Sequence, residues 1–441
     1  MNLIKSLTQI LAKFKDFLIQ ISRFSQSHGV IFAITMGLLS RSIILLAFFV
    51  ISQFHQVSSQ AEAVKVESGW QIFSAWDSPL YQGIATSGYE VINQNEPGGN
   101  VAFFPLFPLL IRGLMNLGLP FEIAGTLINN LAFFGALILL YKWVETTNNP
   151  QAARWATAVL AWCPLSIFGS VIYTEGLFLF LSTAALRAFD LEKYPQVILW
   201  GSLATATRIT GIALIPAFLI TSWQKQQPKI AYLSGLLSGG GLLFYSLYCG
   251  IKFNNPIAFI TVQHTQWQRQ TGFDSQGWLK MIMQILIGSQ NWKQGTIVDL
   301  WHPLLVIIIA IISYGIWRYR HQLGKAKFDY ILFVLIVILW LIAGDPFLNT
   351  SIILGGGYLL WYLRQELSLV AVNYGFCALG LLLASGGTIS LSRLTYGIIS
   401  ISLALGVMLS HYRRWGYLTL GFFALLLISF SVRFAQHLWV S

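Results

Sequence analysis

The chain has 441 residues, 56% of them apolar and only 10% charged, with a net charge of +11 and a mean hydropathy of +0.66. A soluble protein carries roughly 25% charged residues, so one large water-soluble core is excluded. No polar stretch is long enough to fold alone, which also excludes soluble domains strung on linkers.

In chain order, residues 1–29 place Leu3, Leu7, Ile10, Leu11, Phe14, Leu18, Ile21 and Phe24 at helical spacing, with Lys5, Lys13, Lys15 and Arg23 between them. The pattern predicts an amphipathic helix on an anionic cytoplasmic leaflet rather than a signal peptide. Apolar segments follow at about 30–52, 121–141, 155–172, 175–190, 196–207, 211–221, 230–250, 299–317, 328–344, 347–363, 369–385, 394–410 and 416–435. Open strands cannot span lipid with unsatisfied backbone, so each is read as a helix. The expected fold is an all-α polytopic membrane protein, a bundle of about 11–13 transmembrane helices, some short or broken. Residues 30–441 form one transmembrane domain, with outer loops at 53–120 and 251–298.

Orientation follows from Lys and Arg in the short loops. With the N-terminus in the cytoplasm, the inner side collects 17 of the 27 basic residues against 6 acids, so the whole excess charge lies there. The basic balance therefore reports membrane orientation, and no nucleic-acid partner is expected. The count requires residues 196–221 to break into two short helices near Arg208–Gly211.

The first outer loop carries SAWDSPLYQGIATSGYE (74–90). Asp77 stands there among aromatics at the outer water–lipid boundary, where partial desolvation raises a carboxylate's basicity. It is also placed to cap a helix starting at Ser78-Pro79. FFPLFPLLIR (103–112) is too proline-broken to span and reads as a juxtamembrane helix in the outer headgroup zone. Glu175, in YTEGLF (173–178), faces the same side; it is a second acid/base candidate or a first-turn acid favouring the helix dipole.

An arginine in a membrane helix costs at least ~2.5 kcal/mol and should face protein, water or an anion. Arg41 lies inside the first span and is expected to pair with an interior acid. Arg208, at the break, and Arg393, in SLSRLTYG (390–397), fall on the outer side and suit a phosphate, which guanidinium binds bidentately. Trp76 and Tyr81 beside Asp77, and His264 in QHTQWQR (263–269), are further candidates for substrate contact. Cys163, Cys249 and Cys377 sit singly in apolar runs and read as small core residues. The seven histidines show no ligand spacing, so no metal and no cofactor are expected.

WDSPLYQGIATSGY, FFPLFPLLIR, WCPLSIFGSVIYTEGLFLFLS (162–182), ATRITG (206–211), FNNPIAFITVQ (253–263) and SLSR (390–393) occur in the order seen in the PIG-V family. The chain resembles that family over roughly 30–410. Its eukaryotic members are the second mannosyltransferase of glycosylphosphatidylinositol assembly, it has bacterial relatives, and it belongs to the GT-C class of integral-membrane glycosyltransferases. The resemblance implies a GT-C-like bundle, Asp77 as catalytic base, Glu175 as the acid after the third span, and Arg208 and Arg393 as grips on a lipid phosphate. It also implies a polyprenyl-phosphate sugar donor, commonly mannose; a glycolipid or other hydroxyl acceptor, and the membrane lipids themselves, are the further partners expected. Compact loops favour a bacterial plasma membrane over the endoplasmic reticulum. The alternative reading is a lipid or lipid-linked-sugar transporter.

Overall fold

The computed structural model describes residues 29–52, 69–92, 96–267, 272–388 and 390–440. The helix expected over 1–29 lies outside these residues, apart from Gly29. Among the described residues there is no strand, only helices and two isolated bridges. The expected all-α polytopic fold is what forms.

Among the described residues, five helices are long and apolar enough to cross a membrane: Gly29–Ile51, Phe121–Thr147, Trp301–Arg318, Lys325–Ala343 and Arg413–Ala435. A sixth results if Lys229–Leu237 and Gly240–Phe253, bent by 41° at their break, count as one span. The remaining apolar segments form shorter helices, including Leu106–Asn116, Ile209–Gln224, Leu369–Ala384 and Ile399–His411. Short and broken helices are tolerated where neighbouring protein satisfies the freed backbone.

Three segments read as single helices are broken, among them 230–250, which bends between Leu237 and Gly240. The segment expected as one helix over 155–172 is Pro150–Trp162 followed by a 3-10 turn, Pro164–Gly169. Pro164 forces Cys163 out of the helical region, to φ −48 and ψ 135, because its ring clashes with a helical residue before it. The helix expected over 394–410 splits into Leu391–Tyr396 and Ile399–His411. The break expected near Arg208 is present: Tyr194–Thr207 ends, Arg208 is extended (φ −153, ψ 145), and a 3-10 turn leads into Leu214–Gln224. Gly211 packs against the end of the preceding helix, where a Cβ would stand 3.0 Å from Ala204 O and Thr205 Cα.

The core centres on Glu175–Asp190. This helix is buried on nearly every side because Phe121–Thr147 and Tyr194–Thr207 pack against it. An apolar helix without a polar stripe needs such enclosure. Gly29–Leu46 and Pro150–Trp162 pack against Phe121–Thr147, and Ile399–His411 packs against Pro150–Trp162. A smaller cluster of Val101, Phe104, Tyr245, Phe253 and Phe259 ties the segment around 101–104 to the helices Gly240–Phe253 and Ala258–Thr265. Leu106–Asn116 spans ~17 Å at 1.5 Å per residue, too short to cross, as the two prolines predict. The described residues of 251–298 are largely helical, with Ala258–Thr265, Ser275–Ile287 and Ser289–Gln294.

Candidate active site

Asp77 directly precedes the helix Ser78–Ser87 but does not cap it: its side chain makes no cap hydrogen bond. Ser78 secures the turn instead. Its hydroxyl donates to Ala75 O at 2.9 Å and to Ile172 O at 3.0 Å, and accepts from Ala75 N at 3.2 Å. The Asp77 N–H donates to the Tyr173 hydroxyl at 3.3 Å. Trp76 is held at φ 59, a left-handed conformation costly for a bulky residue. Its ring turns to Trp439, edge to face at 5.2 Å. The capping reading of Asp77 is thus replaced by a carboxylate held by the turn around it, with 24% of its side chain exposed.

Glu175 opens the most enclosed helix of the core, and its side chain is 1% exposed. Asn129 holds this end in place. Its Nδ2 donates to Phe168 O and Val171 O, both at 2.7 Å, while its Oδ1 accepts from Gly176 N at 2.8 Å. Gly176 is required here because a Cβ would run into Asn129.

Arg208 and Arg393 meet these acids. Arg208 Nη1 lies 2.6 Å from Glu175 Oε1, as an ion pair rather than an aligned hydrogen bond. Arg393 Nη1 donates to Asp77 Oδ2 at 3.1 Å, and Arg393 Nε lies 3.7 Å from Glu175 Oε1. Its guanidinium also sits 5.2 Å and 5.4 Å from the ring centres of Tyr173 and Phe168, a cation–π arrangement. Ser390, at φ 60, sets the approach of the short helix that carries Arg393. Two carboxylates and two guanidinium groups balance to zero. Glu175 Oε2 and Arg393 Nε remain buried without a hydrogen-bond partner, so the cluster keeps unused hydrogen-bonding capacity.

The cluster lines a cavity of about 150 Å³. Tyr81 forms part of its wall, with Phe103 edge-on at 5.2 Å. Burial, with the Asp77 carboxylate nearby, pushes the Tyr81 and Tyr173 hydroxyls up from their ordinary range, so both stay protonated at neutral pH. The structure therefore brings Asp77, Glu175, Arg208, Arg393 and Tyr81 to one cavity. Trp76 and His264 are exposed and do not line it. Thr207, Gln263 and Trp267 do; they were missed as single residues although each lies in or beside a motif already singled out. On the helix Ala258–Thr265, residue 264 is turned about 100° from 263. His264 therefore points away while Gln263 reaches in, and Trp267, four residues on, returns to that side. Arg41 has no carboxylate partner among the described residues, contrary to the expected ion pair. It bonds Ser166 instead. Among the described residues no three His, Cys, Asp or Glu side chains are grouped to hold a metal ion.

Asp77, Glu175 and Arg208 fall within one stretch of chain that matches a known family. Residues 50–233 match the mannosyltransferase (PIG-V) family. The resemblance expected from the motifs is met over this PIG-V stretch, and Arg393 lies beyond it. GPI mannosyltransferase 2 from Cryptococcus neoformans is 29% identical over 152 residues, which cover 31% of this chain and 34% of the relative. The chain thus spans about a third of the length of the curated relatives it matches. Among solved structures, the oligosaccharyltransferase of Archaeoglobus fulgidus is similar over 91% of this chain and 52% of its own, at 12% identity and a TM-score of 0.44. ArnT from Cupriavidus metallidurans, bound to undecaprenyl phosphate, is similar over 86% and 77%, at 13% identity and a TM-score of 0.35.

Proposed function

We propose that this chain is a glycosyltransferase that moves a mannosyl unit from a polyprenyl-phosphate donor to a hydroxyl of a glycolipid acceptor, on the non-cytoplasmic face and with inversion. The observation that carries the reading is Asp77: a partly exposed carboxylate, 3.1 Å from Arg393, at a cavity that also holds the Glu175–Arg208 pair. The PIG-V match over 50–233 supports the sugar and the reaction type. The inner-side excess of basic residues supports the placement of the cavity outside.

The acceptor hydroxyl gives its proton to Asp77 as its oxygen attacks the anomeric carbon. The bond from that carbon to the phosphate oxygen breaks on the opposite face, and its electrons leave with the polyprenyl phosphate. The phosphate passes from about −1 as a diester towards −2 as a monoester. Arg393 and Arg208 meet that growing charge, an electrostatic contribution on the order of 3 kcal/mol for a preorganised donor.

The geometry gives the two acids unequal places. Asp77 is open to the cavity and takes the proton. Glu175 is enclosed, contacts both arginines, and acts as a positioning residue. Residues 30–441 act as one transmembrane unit in this reading. Placement in a bacterial plasma membrane rests on the compact loops, while the two curated relatives are fungal.

The test is to incubate the purified chain in lipid nanodiscs with polyprenyl-phosphate mannose and a glycolipid extract, then to read the products by mass spectrometry. Consumption of donor with one hexose added to a lipid is the expected result. Intact donor in nanodiscs, combined with its movement across sealed vesicles, would establish transport instead and overturn the reading.

A further inference from the structure

A second groove lies outside the cavity described above, between the Gly29–Leu46 and Phe121–Thr147 helices, with a volume of about 260 Å³. Arg41 lines it and is only 7% exposed. One nitrogen, Nη2, donates to Ser166 O and Oγ at 3.0 Å each, and the Phe133 ring centre lies 4.3 Å from the guanidinium carbon. Nε and Nη1 have no hydrogen-bond partner. Thr126 Oγ1, in the same groove, is buried and unpartnered as well. Asn130 is engaged elsewhere: its Nδ2 donates to Thr126 O and Ser170 O, and its Oδ1 accepts from Ser170 Oγ at 3.3 Å.

This arrangement differs from the catalytic cluster in its charge. There each guanidinium meets a carboxylate. Here a buried cation has none among the described residues, although such a group should face protein, water or an anion. Apart from Asn130 and Ser170, the rest of the groove is lined by apolar and aromatic side chains, with Leu45, Leu127 and Trp70 exposed to the exterior. Tryptophan favours the membrane–water boundary. Trp70 and Ser170, both read from the sequence as lying on the outer side, line the same groove as Arg41.

We propose that this groove is a binding site for a phosphate-bearing lipid, with the phosphate on Arg41 and Thr126 and an acyl chain along Leu45 and Leu127. A cation at the closed end, apolar walls and an exposed apolar mouth together select an amphiphile with an anionic head. A free anion would leave the walls unused. The site is tied to the turn that carries Asp77 through hydrogen bonds at Ile172. Phe73 lines the groove, and its carbonyl accepts from Ile172 N at 3.0 Å; Ser78, next to Asp77, bonds Ile172 O from the other side. An occupied groove therefore braces the turn that carries Asp77.

The test uses the full chain, purified in detergent, stripped of lipid and examined by native mass spectrometry with dioleoyl phosphatidic acid or dioleoylglycerol. The parent is expected to retain the phosphatidic acid at least tenfold better than the phosphate-free diacylglycerol, and millimolar inorganic phosphate is expected not to displace it. Arg41→Gln is expected to abolish that preference. Leu127→Trp, which leaves Arg41 intact and fills the mouth, is expected to abolish retention of both lipids and decides the matter if Arg41→Gln does not fold. Arg413→Gln, on the basic inner surface, is expected to leave retention unchanged. Phosphatidic acid retained by Leu127→Trp as by the parent, or displaced by inorganic phosphate, would overturn the proposal. The readout involves no sugar transfer, so its failure leaves the catalytic reading standing, and the reverse holds.

Discussion

Replacing Glu175 by Gln tests the electrostatic design of the site most directly. The side chain is 1% exposed and stands 2.6 Å from Arg208 Nη1 and 3.7 Å from Arg393 Nε. The substitution keeps its shape and removes one negative charge from a cluster that was neutral, leaving two guanidinium groups to share Asp77. Removing one partner of a buried ion pair costs about 3–5 kcal/mol, because the other charge stays desolvated. The arginine side chains are each 14% exposed and keep some water, so the lower end, ~3 kcal/mol, is expected. That corresponds to roughly a hundredfold in the folded-to-unfolded ratio. Arg208→Gln strands Glu175 in the same way. The double variant places two neutral amides face to face and is expected to recover a coupling energy of about 0.5–3 kcal/mol relative to the sum of the singles. Denaturant unfolding of the four proteins in one detergent, followed by tryptophan fluorescence, measures the cycle. If the losses of the two singles simply add in the double variant, the ion pair contributes nothing and the account of the site is wrong.

Asp77→Asn is expected to lower sugar transfer by about 10²–10⁴-fold, the usual contribution of a general base, and to lower the unfolding midpoint less than Glu175→Gln does, because Asp77 is the more exposed acid, Arg393 keeps Glu175 nearby and Ser78 still holds the turn. Transfer at the parental rate would remove Asp77 from its assigned role. Gly176→Ala drives a methyl group into Asn129 and is expected to cost about 1–3 kcal/mol by overpacking. Because it displaces Glu175, it should also reduce turnover more than it raises the apparent KM; kinetics on the folded fraction check this.

The four charged residues of the site were legible because charge is costly in such a chain. An acid or an arginine beside an apolar span needs a physical reason, and Asp77, Glu175, Arg208 and Arg393 stand out on that ground alone. Their pairing was not legible: nothing in the spacing says that Arg208 takes Glu175 while Arg393 bridges to Asp77. Uncharged contributors such as Thr207, Gln263 and Trp267 carry no comparable energetic signature. Trp76 and His264 misled through adjacency. One sits on a left-handed residue that turns its ring to Trp439, and the other lies a third of a helical turn from Gln263. Helix ends depended on Pro164 and on Arg208–Gly211, and only the second was read as a break.

Asp77 and Arg393 stand 316 positions apart along the chain. A ribosome feeding this protein into a bilayer delivers the acid early and its cation only when most of the polypeptide has been made. Until then the Asp77 side chain lacks its partner, and the short helix that will supply it has not yet been inserted. Closure of that one contact therefore marks a finished molecule. A product cut off shortly before residue 393 retains the whole stretch matched to the family, yet carries an orphan charge of the sort that membrane quality-control machinery can recognise.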